Sequence, residues 1–215
     1  MTNSDATQAP QQPSGSGSTM RKIILTEWIT LDGFTAGPDN DMSFVGESFN
    51  DEMAEYEGTI VDRADTLILG RVTYESFAGS WPYVPDKPEA SEGEKAYARK
   101  LNAMRKIVFS KTLEKAEWNH STLMKEINKD EIEKRKQENG KDLLIYGSAS
   151  IVQQMTNLGL IDEYQLLIHP VVLGSGKALF KDVKDKLKLH LVDTKTFNSG
   201  VMLLTYRLAR EEEGK

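Results

Sequence analysis

Leu143-Leu144-Ile145-Tyr146 is a short apolar run that halts at Gly147, and apolar residues then resume at helical spacing as Ile151, Val152 and Met155. Four apolar residues without alternation predict a strand buried on both faces, and the 3,4 spacing after it predicts a helix packed back on that strand. A glycine at the turn lets the backbone take a positive φ and lets a ligand come close with no Cβ in the way. Ser148 or Ser150 then stands where it can cap the helix, leaving amide N–H groups pointing outward. Such a helix start attracts phosphate, because unpaired donors coincide with the positive end of the helix dipole. Taken alone the stretch has two readings, a diphosphate cradle or an ordinary strand-to-helix turn.

The same alternation recurs along the chain. Residues 1–19 carry no aromatic or branched aliphatic residue and are expected to be a disordered tail or leader, with one folded domain over 20–210. Arg21–Thr30 reads as a strand, and the glycine- and proline-marked stretch Gly33–Asn40 as a loop suited to act as a lid. Phe49, Met53, Tyr56 and Ile60 predict a helix over 49–61 behind Asn50 or Asp51 as cap. Thr66–Leu69 is a buried strand that turns at Gly70 into a helix ending by Trp81-Pro82. A helix is expected over 92–101, a strand over 106–109, and a charged helix over 123–139 ending at Gly140. A further strand over 161–170 precedes a terminal antiparallel hairpin of 186–192 and 200–208, with His190 on its polar face. Strand and helix alternating before a hairpin predict an α/β fold, a three-layer α/β/α domain with a mostly parallel sheet and an antiparallel edge. Ligands of such sheets bind beyond the carboxyl ends of the strands. There Gly70-Arg71, Ser110-Lys111-Thr112 and Gly147-Ser148-Ala149-Ser150 offer two cations, hydroxyls and helix starts to a polyanion. Lys111 by itself reads equally as a solvated loop lysine.

Composition narrows the function. The 215 residues include no cysteine, which removes thiolate chemistry and Cys-based metal sites. The three histidines, His120, His169 and His190, are too far apart in sequence to suggest a metal site, so none is expected. A net charge of −6 works against nucleic-acid binding. No apolar run approaches the roughly 20 residues needed to span a bilayer, and a cytoplasmic protein is the expectation.

Four motifs in order, Ile68–Phe77, Lys106–Thr112, Leu144–Ser150 and His169–Phe180, resemble the dihydrofolate-reductase-like superfamily. The match is nearer to the branch containing the C-terminal reductase domain of the bifunctional riboflavin-biosynthesis deaminase/reductase. The resemblance implies a three-layer dihydrofolate-reductase-like fold, NADPH as cofactor and a homodimer. It places the cofactor along Leu69, Gly70, Arg71, Val72 and Thr73, then Ser110, Lys111 and Thr112, and finally Tyr146, Gly147, Ser148, Ala149, Ser150 and Ile151. Arg71 suits forked phosphate recognition and Lys111 supplies a point charge. Ser148 departs from the second glycine of the folate-reducing members, which points away from folate. This chain, lacking cysteine, cannot carry the deaminase's Cys-based zinc site.

On the substrate side the resemblance aligns Glu52 with the carboxylate of the first helix, or Asp51 if the alignment slips by one residue, with Met53 and Tyr56 as pocket walls. Asp32 stands where the family's mobile loop begins and faces either substrate or its own turn. Trp28 and Phe44 line the nicotinamide pocket or belong to the core. The expected activity is an NADPH-dependent reduction of a small, heterocyclic C=O or C=N substrate, with Glu52 and Asp32 as candidate acids. The alternative is a non-catalytic NADP(H)-binding sensor or scaffold.

Overall fold

The computed structural model describes residues 20–209, so the tail expected over 1–19 and the last residues of the chain lie outside the described residues. In chain order the elements are β1 (Ile23–Thr30), β2 (Phe34–Ala36), α1 (Ser43–Ser48), α2 (Asp51–Arg63), β3 (Ala64–Gly70), α3 (Arg71–Ala78), α4 (Glu92–Ala103), β4 (Arg105–Phe109) and β5 (Ser121–Met124). They continue with α5 (Lys129–Gln137), β6 (Asp142–Ile145), α6 (Ala149–Asn157), β7 (Glu163–His169), β8 (Lys177–Ala178), β9 (Leu189–Thr196) and β10 (Met202–Leu208).

An 8-stranded sheet runs β5-β4-β3-β6-β1-β7-β10-β9. Its first six strands are parallel, and β10 turns antiparallel against β7 and β9. Because helices cover both faces, the central strands bury both sides and read as unbroken apolar runs. On one face Ile23, Leu25 and Ile145 meet Ile132 of α5 and Ile151, Val152 and Met155 of α6. On the other, Ile24, Leu67, Leu69 and Leu144 meet Ile60 of α2, Tyr74 of α3 and Leu101 of α4.

Several elements differ from the expectation for identifiable reasons. The helix predicted over 123–139 is a strand and a shorter helix, because Leu123 and its neighbours pair with β4 (Val108↔Leu123) before Asn128 caps α5 by accepting the Glu131 N–H at 3.1 Å. The helix ends on Glu138 as its C-cap, short of Gly140. The lid loop is partly strand: β2 pairs antiparallel with β8. Asp32 fastens it further, accepting the backbone N–H of Gly174 at 2.7 Å and of Leu173 at 3.2 Å. The terminal hairpin forms, yet Leu191 is 55% exposed, because β9 is the outermost strand of the sheet.

Candidate active site

β6 is short. Its pairing with β1 stops at Leu25↔Ile145, whereas β1 continues beside β7 as far as Thr30↔His169. Past the end of β6 the sheet therefore has a gap, bounded on one side by Thr26–Thr30 of β1. Two polar atoms of this stretch lack partners: the Thr26 hydroxyl and the Oε2 of Glu27 are both shielded from water and make no hydrogen bond. Buried polar atoms are nearly always paired, and an unpaired carboxyl oxygen is a costly exception; Thr26, its neighbour on the strand, faces the other side of the sheet, so Glu27 is the one that marks the gap as a place for a ligand.

The strand ends beside this gap are those singled out in the sequence. β4, β3 and β6 are successive neighbours, so Ser110, Gly70 and Gly147 come to one edge of the sheet. Gly70 donates its N–H to the Gly147 carbonyl at 3.1 Å. A Cβ on Gly70 would overlap Ser148 Oγ and lie 3.1 Å from Ile151, so only glycine lets the starts of α3 and α6 stand this close. Neither helix start has a side-chain cap; Ser148 occupies the N-cap position of α6, but its hydroxyl lies 3.0 Å from that of Ser150 instead. Gly147 has φ +78, and its Cβ direction points at Glu27 Oε2 and Thr73 Oγ1, each 3.3 Å from where that atom would be. The Gly147-Ser148 peptide is cis.

Other candidates divide clearly. Arg71 and Lys111 are exposed at this edge, Arg71 lying along its own helix with Nη1 2.8 Å from Glu75. Val72, Thr112 and Ser150 are exposed, whereas Leu69 and Ile151 are core residues that carry only their backbone to the edge. The Ser110 hydroxyl faces inward and accepts the N–H of Thr112 and Leu113 at 3.2 and 2.9 Å, which fixes the turn behind Lys111.

The substrate-side candidates are rearranged. Glu52 takes the Asn198 N–H at 3.0 Å and pairs with Lys195 at 3.3 Å, so it fastens the β9–β10 turn. Asp32 is the strap described above. The Asn198 backbone donor and Lys195 hold Glu52 below the usual carboxylate range; the Thr30 hydroxyl and the Gly174 and Leu173 amides do the same for Asp32. Both are settled anions, unsuited to giving a proton at neutral pH. Met53 is fully buried in a core cluster with Leu167 and Phe197, and Phe44 is buried edge-on against His169 at 5.1 Å, so neither offers a wall to a ligand. Tyr56 donates to Gln165 at 2.7 Å. Trp28 does reach the site: its indole N–H donates to Glu57 at 3.1 Å.

Glu57 was missed from the sequence, and so was Glu27. Glu57 projects from α2 and is buried; besides Trp28 it accepts from the hydroxyls of Tyr146 and, at 3.4 Å, Tyr97, which lie 3.0 Å from each other. Tyr146, Phe77, Trp81 and Tyr97 follow one another at ring separations of 5.8, 6.1 and 5.2 Å, forming a half-buried aromatic wall. Burial pushes the Glu27 carboxyl up to about 8, and the like charge of Glu57 adds to the shift. Burial raises Glu57 as well, but its three donors oppose the shift. A carboxyl with no partner next to one with three donors favours the proton on Glu27 and the charge on Glu57.

A separate cavity of about 270 Å³ lies at the opposite edge of the sheet, among Arg21, Arg105, Lys106, His120 and Arg135. Arg21 pairs there with Asp65, and Arg105 lies 3.5 Å from both Asp65 and Glu138, so much of its positive charge is already neutralised. Among the described residues no group of three or more side chains is placed to hold a metal, and no helix is long and apolar enough to cross a membrane.

Comparison with known proteins agrees with this architecture. The uncharacterised protein YyaP of Bacillus subtilis (strain 168) is 36% identical over 186 residues, covering 86% of this chain and 94% of YyaP. A putative riboflavin biosynthesis protein from Shewanella sp. PV-4 superposes with a TM-score of 0.70 at 20% identity, over 88% of this chain and 99% of the other. The dihydrofolate reductase of Enterococcus faecalis, solved as a complex with NADP(H), superposes with a TM-score of 0.56 at 12% identity, over 88% and 97%. The family model for the RibD C-terminal domain matches residues 21–203. The chain therefore belongs to the RibD C-terminal domain family and has the dihydrofolate-reductase-like α/β fold.

Proposed function

We propose that this chain is an NADPH-dependent reductase acting on a small heterocyclic C=O or C=N substrate. The observation that carries the reading is the juxtaposition at one sheet edge. Paired, uncapped helix starts with two exposed cations lead directly into a gap bounded by an unpartnered carboxyl oxygen and an aromatic wall. Membership of a reductase-like family supports it, as does the likeness in fold to a protein solved with NADP(H).

The residues fit a dinucleotide phosphate. The first-turn amides of α3 and α6 supply donors and dipole for the diphosphate. Arg71 and Lys111 supply charge for a terminal phosphate. The ion pair between Arg71 and Glu75 is an exposed i, i+4 contact, of a kind worth only about 0.3–0.5 kcal/mol, so a phosphate readily takes the guanidinium from it. Bound there, NADPH would supply a hydride at the gap. The chain orients the acceptor against the aromatic wall, and the β2–β8 strap closes one side against water.

Arg71→Ala is expected to weaken NADPH binding by about 10- to 100-fold, the range of a charge-assisted hydrogen bond, while leaving NADH almost unchanged. Titration of the two dinucleotides against native and variant protein measures this. Equal losses would assign Arg71 to the shared diphosphate. Oxidation of NADPH on adding pterins, flavin precursors or quinones separates an enzyme from a sensor that binds without turnover.

A further inference from the structure

Glu27 lies in the middle of a sheet strand, where an acid is costly, and nothing in the fold's own hydrogen bonding uses its Oε2. Side chains facing it come from separate elements. The Gly147 turn lies against Oε2, with Thr73 of α3 on the same turn's Cβ side; Glu57 of α2 acts on Glu27 as a like charge, and the register neighbour of Glu27 on β7 is the apolar Leu166. Among the described residues, no Lys or Arg stands among the groups that shift Glu27 or Glu57. Glu27 is only partly buried and its Oε2 alone is shielded, so a ring bound in the gap would meet the carboxyl through Oε1, with Oε2 held away from water behind it.

We infer that Glu27 is the proton donor of this site, that Glu57 is the fixed, hydrogen-bonded anion beside it, and that the substrate is an uncharged planar heterocycle presenting an acceptor atom to the Glu27 carboxyl. This rests on the reductase reading above and assigns the acid that it lacks. A bound reduced nicotinamide would supply a hydride to the substrate carbon, and the π pair of the C=O or C=N bond would then move onto oxygen or nitrogen. That atom takes the proton from the Glu27 carboxyl, leaving a carboxylate that regains a proton from water once product leaves. A cationic substrate would instead need Glu27 ionised, and the adjacent Glu57 charge disfavours a second anion.

The sign follows from the raised carboxyl: Glu27 is protonated below about pH 8 and becomes an acceptor above it, so donation is lost as pH rises through that value. The test reads the carboxyl itself. With 13C-labelled glutamate side chains in the native protein, the signal missing from E27Q is expected to titrate near pH 8 and not in the ordinary carboxylate range near 4. In E57Q its midpoint is expected to fall, because the like charge is gone. Saturating NADPH is expected to shift it, because the nicotinamide seats at the gap. A midpoint in the ordinary range overturns the assignment, and so does a signal indifferent to saturating NADPH, which would make Glu27 a structural acid. Absence of NADPH binding would remove the hydride source and overturn the reductase reading and the proton delivery together, while the ligand-free midpoint still reports Glu27 on its own.

Discussion

Replacing Gly147 by alanine is expected to weaken NADPH binding at least about 100-fold, roughly 3 kcal/mol of binding free energy, and to lower unfolding free energy by about 2 kcal/mol. Gly147 holds φ +78, where an L side chain costs about 1–2 kcal/mol. Its new Cβ would sit 3.3 Å from both Glu27 Oε2 and Thr73 Oγ1, tighter than ordinary contact, inside a buried turn. The two side-chain tips can give by a few tenths of an ångström, but the strain at positive φ is relieved only by moving the turn; the Gly147 carbonyl carries the Gly70 N–H, so the start of α3 moves with it. Both helix starts then lose their alignment toward one anion. Fluorescence titration with NADPH measures the first effect and urea denaturation the second. A variant that loses stability but keeps native NADPH affinity would locate the phosphates away from this turn.

The second large effect is on the strap. Gly176→Ala is expected to cost about 3 kcal/mol or more, a fall in Tm of roughly 6–12 °C for a domain of this size. Gly176 has φ +145, a region essentially reserved for glycine. Its Cβ would overlap the Ala36 carbonyl oxygen and lie 3.0 Å from Gly37 Cα. Both obstacles are backbone, so the β2–β8 contact must open instead of a side chain turning aside. Gly174 is the internal comparison. Its φ is +74 but nothing lies within 4 Å of its Cβ position, so alanine there costs only the backbone strain, about 1–2 kcal/mol. Thermal denaturation of the two variants side by side measures the difference, and equal losses would mean that strain, and not the close approach, sets the effect.

The parallel half of the sheet was legible because both-face burial leaves unbroken apolar runs, as in Leu67-Ile68-Leu69 and Leu143-Leu144-Ile145. Their carboxyl ends were legible for the same reason, since glycine or serine stops each run. Glu27 and Glu57 carried a signal too. Glu27 shares a strand face with Ile23, Leu25 and Ile29, and Glu57 shares a helix face with Met53 and Ile60 at 3,4 spacing, so each acid is on the buried side of its element. Pattern alone does not reveal that β6 stops at Ile145 and leaves Glu27 at a gap, because strand length is settled by pairing. Glu52 and Asp32 were drawn in by position along the chain, yet their partners, Lys195, Asn198 and the 173–174 amides, are more than a hundred residues away in sequence. Interleaved charges over 125–139 masked a strand because Ser121–Met124 is a partly covered edge with little apolar content.

On the function proposed above, the carboxyl ends of β3, β4 and β6 make one phosphate-holding edge. Backbone amide NMR with and without saturating NADPH tests it most directly. The largest shifts are expected together at 70–73, 110–112 and 147–151, with a smaller set at 26–28. Shifts confined to 105–107, 120–122 and 135, around the cavity at the opposite edge of the sheet, would contradict it.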